Sequence, residues 1–403
     1  MKSEAQRDTG QPRARGPIIA LLAVACGVLV ANNYLSQTLI AEIGADIGLS
    51  SDIAGLTVTL TQFGSGLGFA LLVPLADRYE NRRLVLMAVV GVILSLAAAA
   101  MATTAAVFLV ACVMLGVCAT ASQVMVPMAS FFVATERQGR AIGLVTGGLL
   151  GGIALARPFA SFITWLADWR AVFWVALVLT VLLGMLLARY LPRREPPRHP
   201  EPGELFGSLL TLWRDEPLIR RRATWQALLF LAFNMFWTAA PLELAGRFGL
   251  GQDGIALFAL AGAGGALAAP LAGRFADRGH ARLATGLAIV GTCAMLLFTG
   301  WVVPTGALVG FALGALAIDA LVQTNQVVGQ RAIYQLSESA RSRINAIYMT
   351  VVFGIGAFGP LLGTVLHARF GWHGPAFGGA AFAGAAVLLW LAAQCTATRR
   401  PQQ

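Results

Sequence analysis

Twelve apolar stretches recur along the chain, at roughly 17–38, 52–74, 84–103, 106–130, 140–164, 171–190, 223–243, 254–274, 283–301, 306–329, 344–366 and 375–395. About 20 helical residues cover the hydrocarbon core of a bilayer, so each stretch is long enough to cross one. Inside hydrocarbon no water meets the backbone N–H and C=O groups, and a helix satisfies them within the segment. The expected fold is therefore all-α and integral to the membrane, which a content of 57% hydrophobic and 12% charged residues supports. The leading "MKSEAQRDTGQPRARGP" is polar and basic, and no small-residue cleavage site follows it, so the first run reads as a retained helix.

One polar segment is long: "RYLPRREPPRHPEPGELFGSLLTLWRDEPLIRRR". Its proline-rich start excludes a regular helix. Leu205, Phe206, Leu209, Leu210, Leu212 and Trp213 fit a short amphipathic helix on the membrane surface. The expected organisation is a tail (1–16), a six-helix bundle (17–190), a linker (191–222), a second six-helix bundle (223–395) and a tail (396–403).

Net charge is +10, yet 25 of the Lys and Arg residues fall in gaps on one side of the membrane, with only Arg170, Arg247 and Arg369 on the other. That asymmetry places both termini and the linker in the cytoplasm, and it reads as a topology signal that leaves no case for nucleic acid. The five cysteines (Cys26, Cys112, Cys118, Cys293, Cys395) are scattered without a CxxC pair, so neither a disulfide framework, a metal site nor a cofactor is expected. His199, His280, His367 and His373 are spread over loops and helix ends on both sides. No nucleophile–base spacing appears, and an enzyme is not expected.

The charged gaps repeat. "LADRYENRRL" (75–84) is echoed by "FADRGHARL" (275–283), with Asp77 and Asp277 200 residues apart. "TERQGRAIG" (135–143) is echoed by "SESARSRIN" (337–345). Two six-helix halves in parallel repeat form a transporter architecture whose site lies between the halves near the bilayer midplane.

On these features the chain resembles the major facilitator superfamily, whose loop after the second helix runs Gly-x-x-x-Asp-Arg-x-Gly-Arg-Arg. Gly273, Asp277 and Arg278 fit the second copy, with Gly279 one place early; Asp77, Arg78 and Arg82 fit the first, but Val73 and Glu80-Asn81 depart from it. "GLLGGIALARPFASF" (148–162) and "RSRINAIYMTVVFGIGAFGPLLG" (341–363) are similar to a bacterial branch of drug- and sugar-efflux members. The resemblance implies twelve transmembrane helices in two bundles, a bacterial inner-membrane location, a small-molecule substrate, and rocking of the halves within a single chain. It also implies a gate. An anion at the C-terminal end of a helix is disfavoured by the macrodipole unless it faces basic groups. Asp77 is expected to meet the start of the eleventh helix at Arg341 and Arg343, and Asp277 the start of the fifth at Arg140. The plain alternative is that each Asp is merely tolerated in a loop whose arginines set topology; recurrence in register favours the gate.

Ionisable groups within spans are expensive and usually face a cavity or a partner. Asp319 in the tenth run and Arg157 in the fifth are the conspicuous cases. By the resemblance, helices 1, 4, 7 and 10 line the cavity, which makes Asp319 a candidate proton carrier with Arg157 beside it in that role; the alternative is a permanent structural pair of the two. Asn32, Asn33, Tyr34, Gln37, Gln62, Gln123, Gln226, Asn234, Trp237, Gln323, Gln326, Asn345 and Tyr348 are the candidate substrate contacts, each equally able to serve as interhelical glue. Tyr34, Phe233 and Trp237 would supply aromatic walls. Many proton-driven exporters of the superfamily carry Arg four residues before a helix-4 Gly; here that position, before Gly116, is Cys112, which puts the weight of coupling on Asp319. Proton-coupled efflux of a small organic solute is the leading expectation, ahead of a facilitator or uptake symporter and of a non-transporting receptor.

Overall fold

The computed structural model describes residues 16–134, 137–195, 202–267, 276–337 and 340–398; of these, the side chains at 202, 204, 206, 266, 267, 276, 277 and 396–398 are not described. The chain runs through α1 (Gly16–Thr38), α2 (Leu56–Leu75), α3 (Asn81–Met101), α4 (Ala105–Phe132), α5 (Gln138–Leu166) and α6 (Trp169–Tyr190). A linker helix, Pro202–Asp215, precedes α7 (Pro217–Gly246) and α8 (Gln252–Ala263). The last four are α9 (Ala281–Val302), α10 (Leu308–Tyr334), α11 (Arg341–Phe370) and α12 (His373–Thr398).

Among the described residues, eleven helices are long and apolar enough to cross a membrane. The twelfth expected span, 254–274, is described as α8 followed by a 3₁₀ turn over Gly264–Leu267, and its remainder lies outside the described residues. Local chemistry sets several ends. The Asp168 carboxylate accepts from the Ala171 N–H (2.7 Å) and caps α6. Gly306 and Gly371 take positive φ (80° and 56°) where α9 and α11 turn into the next helix. Pro217 opens α7, where its missing N–H leaves nothing unpaired. That helix therefore begins inside the expected linker, with Arg220, Arg221 and Arg222 in its first turns, where hydropathy alone hides it.

Helix pairing repeats between the halves. In the first half α1 packs on α5, α2 on α4, and α3 on both α4 and α6; in the second α7 packs on α11, α8 on α10, and α9 on both α10 and α12. Each half has its own apolar core, one centred on residues such as Leu22, Val92 and Phe173, the other on Phe236, Phe311 and Trp372. Large apolar side chains such as Leu94, Met101, Trp301 and Val309 point outward, as a lipid-facing surface requires. The linker helix buries Leu205 and Leu209 where it packs on α7 and α11, whereas Leu210, grouped with them in the expected apolar face, is exposed.

The halves meet through α2 with α11 and α5 with α8. On the face away from the linker they are interlocked. The Thr364 hydroxyl donates to the Asp52 carbonyl (2.8 Å), the Leu361 N–H donates to Thr59 Oγ1 (3.1 Å), and Gln252 donates to the Glu42 carboxylate. On the linker face a cleft of about 440 Å³ separates them, bounded by Val73 and Val126 on one side and Tyr334, Arg341 and Asn345 on the other.

Gly55 enables the interlock: a Cβ there would lie 2.4 Å from the Pro360 carbonyl oxygen and 2.7 Å from Thr364 Oγ1. Gly55→Ala should therefore penalise this closed face by about 1–3 kcal/mol, the usual range for overpacking, and leave an arrangement with α2 and α11 apart unaffected. The distance between spin labels at Ser51 and Arg369 should shift toward a longer population in the variant.

Candidate functional site

Three interruptions in the helices build the centre. α1 changes from α-helix to a 3₁₀ stretch over Asn32–Thr38, where two asparagines, weak helix formers, begin the tighter winding. α11 breaks at Ala357 because Pro360 has no N–H to give the Gly356 carbonyl. Asn234 of α7 supplies the missing donor, its Nδ2 lying 3.2 Å from that oxygen. α8 loosens into its 3₁₀ turn at the same time as Gly262 admits Trp237, whose ring would sit 2.2 Å from a Cβ there.

Against these breaks lies an ion pair that joins the halves. Arg157 of α5 and Asp319 of α10 approach to 3.7 Å, with side chains 1% and 5% exposed. Trp237 Nε1 donates to the same Asp319 oxygen (3.0 Å), and Arg157 Nε donates to Gln37 Oε1 (2.9 Å). Gln37 reaches Thr238 of the other half at 3.5 Å. The guanidinium lies over the rings of Trp237 (4.2 Å), Phe233 (5.2 Å) and Tyr34 (5.6 Å), all within cation–π range. Arg157 Nη2 and the Ser161 hydroxyl, one turn along α5, are buried without a hydrogen-bond partner among the described residues. A buried ion is tolerable only when paired, and this pair satisfies that condition across the interface.

Beside the pair is a narrow cavity of about 60 Å³. A water needs about 10–15 Å³ by this measure, so the cavity in this state has room for no more than a few waters and a solute requires the halves to part. Its lining takes Asn33 and Tyr34 from α1, Gln123 from α4, Gln323 and Gln326 from α10, and the rings of Phe69, Phe230, Phe233 and Phe353. No charged side chain lines it among the described residues. Gln62 is buried beside Tyr34, and Asn32 is buried with its Nδ2 unpartnered among the described residues.

The other expected contacts fall elsewhere. Gln226 receives the Asn325 amide (2.7 Å) and donates to Gln326 (3.3 Å), a network inside the second half. Asn345 accepts from Tyr334 (2.8 Å) and Gln330 (3.2 Å) at the linker-face cleft. Tyr348 is fully buried near Arg222, its hydroxyl unpartnered among the described residues.

Of the expected gate, Asp77 is half-buried just past α2 and is attracted by Arg343 at the start of α11 and by Arg194 of the linker. Burial pushes its carboxyl above the usual range, and the two arginines oppose that. Arg194 escaped the sequence reading; its carbonyl accepts the Asn81 N–H (3.0 Å), which folds the start of the linker under α3. Arg78 lies over the Tyr79 ring (5.7 Å), Arg82 donates to the Ala188 carbonyl within its own half, and Arg341 donates to the Tyr334 carbonyl (3.3 Å). Arg140 and Arg278 are exposed. Gly273 and the Asp277 side chain lie outside the described residues, so the second gate has no described geometry. A cluster absent from the sequence reading sits at the far end of α7, where Glu243 accepts from Arg247 and is 2.9 Å from His367 Nε2.

Two repeated helical halves around a polar, aromatic-lined cavity, locked at one face and cleft at the other, form the architecture of a membrane transporter. Comparison with known proteins specifies which kind. The Major Facilitator Superfamily profile matches residues 21–333 and 226–402, and the chain belongs to that family. It is 33% identical over 381 residues to Uncharacterized transporter YgaY of Escherichia coli O157:H7, covering 93% of this chain and 94% of that one. It is 30% identical over 288 residues to the Chloramphenicol resistance protein of Streptomyces lividans, covering 70% of each. The fold is also that of a D-xylose-proton symporter crystal structure, with TM-score 0.78 at 16% identity over 94% of this chain and 97% of that one.

Because the two charges neutralise each other out of water, Arg157→Met should destabilise the purified protein by about 3–5 kcal/mol, the range for breaking a buried pair. The double variant Arg157→Met/Asp319→Leu should recover most of that loss in thermal unfolding, since it leaves no unpaired charge.

Proposed function

We propose that the protein is a proton-coupled exporter of a small, uncharged, ring-bearing organic solute in a bacterial cytoplasmic membrane, with both termini and the linker in the cytoplasm and a single chain as the working unit. The orientation rests on the concentration of Arg in the linker-face gaps. The observation that carries the coupling is the buried Arg157–Asp319 pair. With Asp319 ionised, the pair ties α5 to α10 and favours the arrangement in which the outer face is closed. A proton on Asp319 removes the attraction across the interface and leaves Arg157 held by Gln37 and the aromatic rings, so the halves separate more readily. One site thereby biases the same two-state equilibrium that solute binding biases, which is what coupling requires.

The solute class follows from the cavity. Amides at Asn33, Gln123, Gln323 and Gln326 both donate and accept, phenylalanine rings offer flat apolar faces, and no described lining residue carries a charge that would select an ion. The similarity to a relative named for chloramphenicol resistance supports a drug-like solute and outward transport. Asp77, between Arg343 and Arg194, serves as the inner gate, drawing α2 toward the start of α11 when the cytoplasmic side closes.

A ligand-stabilisation screen identifies the solute, because a ligand that binds the folded state raises apparent stability by mass action. In everted vesicles, uptake of that solute should then require an imposed proton gradient. Asp319→Asn should lower gradient-driven uptake by about 5- to 150-fold, the range of typical coupling energies, while solute exchange without a gradient persists. Uptake that survives full collapse of the gradient, or that is undiminished in Asp319→Asn, overturns the coupled mechanism. Asp77→Lys should insert normally and transport slowly; normal transport would remove the gate assignment.

A further inference from the structure

Two grooves on the outer surface, one per half, occupy the same position in the repeat. The first, about 500 Å³, lies along the start of α3 beside the end of α6, with Arg82, Arg83 and Arg193 around its mouth and Leu86, Met87 and Val90 along its floor. The second, about 530 Å³, lies along the start of α9 beside α12, with Arg282 at the mouth and Leu287, Val290 and Trp390 along the floor. Arg82 and Arg282, Met87 and Leu287, and Val90 and Val290 are each 200 residues apart. The floor residues are matched in exposure, Met87 at 59% and Leu287 at 56%, Val90 at 54% and Val290 at 46%. In both grooves the first arginine is tied to the neighbouring helix, Arg82 to the Ala188 carbonyl and Arg282 to Gln394.

We propose that each groove is a binding site for an anionic phospholipid of the leaflet on the linker face, the first groove being the tighter. Charge complementarity selects the occupant. Arg83 and Arg193 are exposed, and neither has a carboxylate partner among the described residues. Glu80 also lines the mouth, which leaves it with three positive charges against one negative. Guanidinium groups at such an interface match a phosphodiester with charge-assisted hydrogen bonds. The apolar floor selects for lipid over a free anion. From Arg83 to Val90 is about 10 Å along the helix axis, so a headgroup held at Arg83 lays the first part of its acyl chain over Leu86, Met87 and Val90. Basic pockets between membrane helices at the interface recognise anionic headgroups in this manner. Among the described residues the second groove presents a single arginine, already engaged with Gln394, and on that basis it holds its lipid more weakly.

Native mass spectrometry of the full-length protein with dioleoyl phosphatidylglycerol or dioleoyl phosphatidylcholine tests the proposal. Two phosphatidylglycerol molecules should be retained per chain under conditions that strip phosphatidylcholine. Arg83→Gln/Arg193→Gln should lose the more tightly held one, and Arg282→Gln the other. On the wild-type protein, phosphatidylglycerol should raise the melting temperature and excess inorganic phosphate should not. Equal retention of the two lipids, unchanged retention in the double variant, or a rise reproduced by phosphate alone would overturn it. The wild-type comparisons decide the matter even where a variant fails to fold.

Discussion

A peptide group in hydrocarbon has no water to bond with, and where this chain breaks a helix at membrane depth a group of its own can take the water's part. The clearest case is in α11, where Pro360 strands the Gly356 carbonyl and the Asn234 amide of α7 reaches it. That one bond lets α11 break at Ala357, beside Phe353, whose ring lies 5.1 Å from Phe69 of the other half. The 3₁₀ winding of α1 is the counterpart in the first half, and it brings Tyr34 to the cavity and Gln37 to Arg157. Irregular backbone is tolerated at membrane depth only where protein or a cavity covers it, and both interruptions satisfy that condition.

The Arg157–Asp319 pair obeys the same logic for charge. Each ion alone would carry a desolvation penalty of several kcal/mol; together, with Trp237 donating to Asp319 and Gln37 accepting from Arg157, they form a deeply buried polar link between the halves. Its strength depends on Asp319 remaining ionised, so a single proton changes the interface more than any solvent-exposed pair could. Asp77 shows the contrast. It is half-buried at the water interface between Arg343 and Arg194, where screening weakens each pairwise term and the contact is suited to forming and breaking.

How much of this could be read in advance depended on the kind of signal. The spans, the repeat and the family were legible because apolar run length and in-register charged loops are properties of the chain itself. Asp319 and Arg157 stood out because charge within a span is rare. The start of α7 did not, since Arg220, Arg221 and Arg222 masked the first helical turns that Pro217 opens. Nor did Arg194, whose approach to Asp77 depends on how the linker folds back under α3. The amides were visible as a group but not as individuals: Asn33, Gln123 and Gln323 line the cavity, whereas Gln226 and Asn345 are consumed by neighbours in their own half. Nothing in the spacing of a glutamine along a helix says what faces it.

The sequence by itself determined that this chain crosses a membrane in two repeated halves, because hydrophobic length and charge placement act on each segment separately and need no knowledge of its neighbours. Tertiary structure alone decided that Arg157 and Asp319, 162 residues apart, share one buried site, which amides meet the cavity, and which face is closed. Those outcomes depend on distances between helices, and such distances are set by packing across the interface, where a glycine such as Gly55 or a broken helix such as α11 counts for more than any local preference.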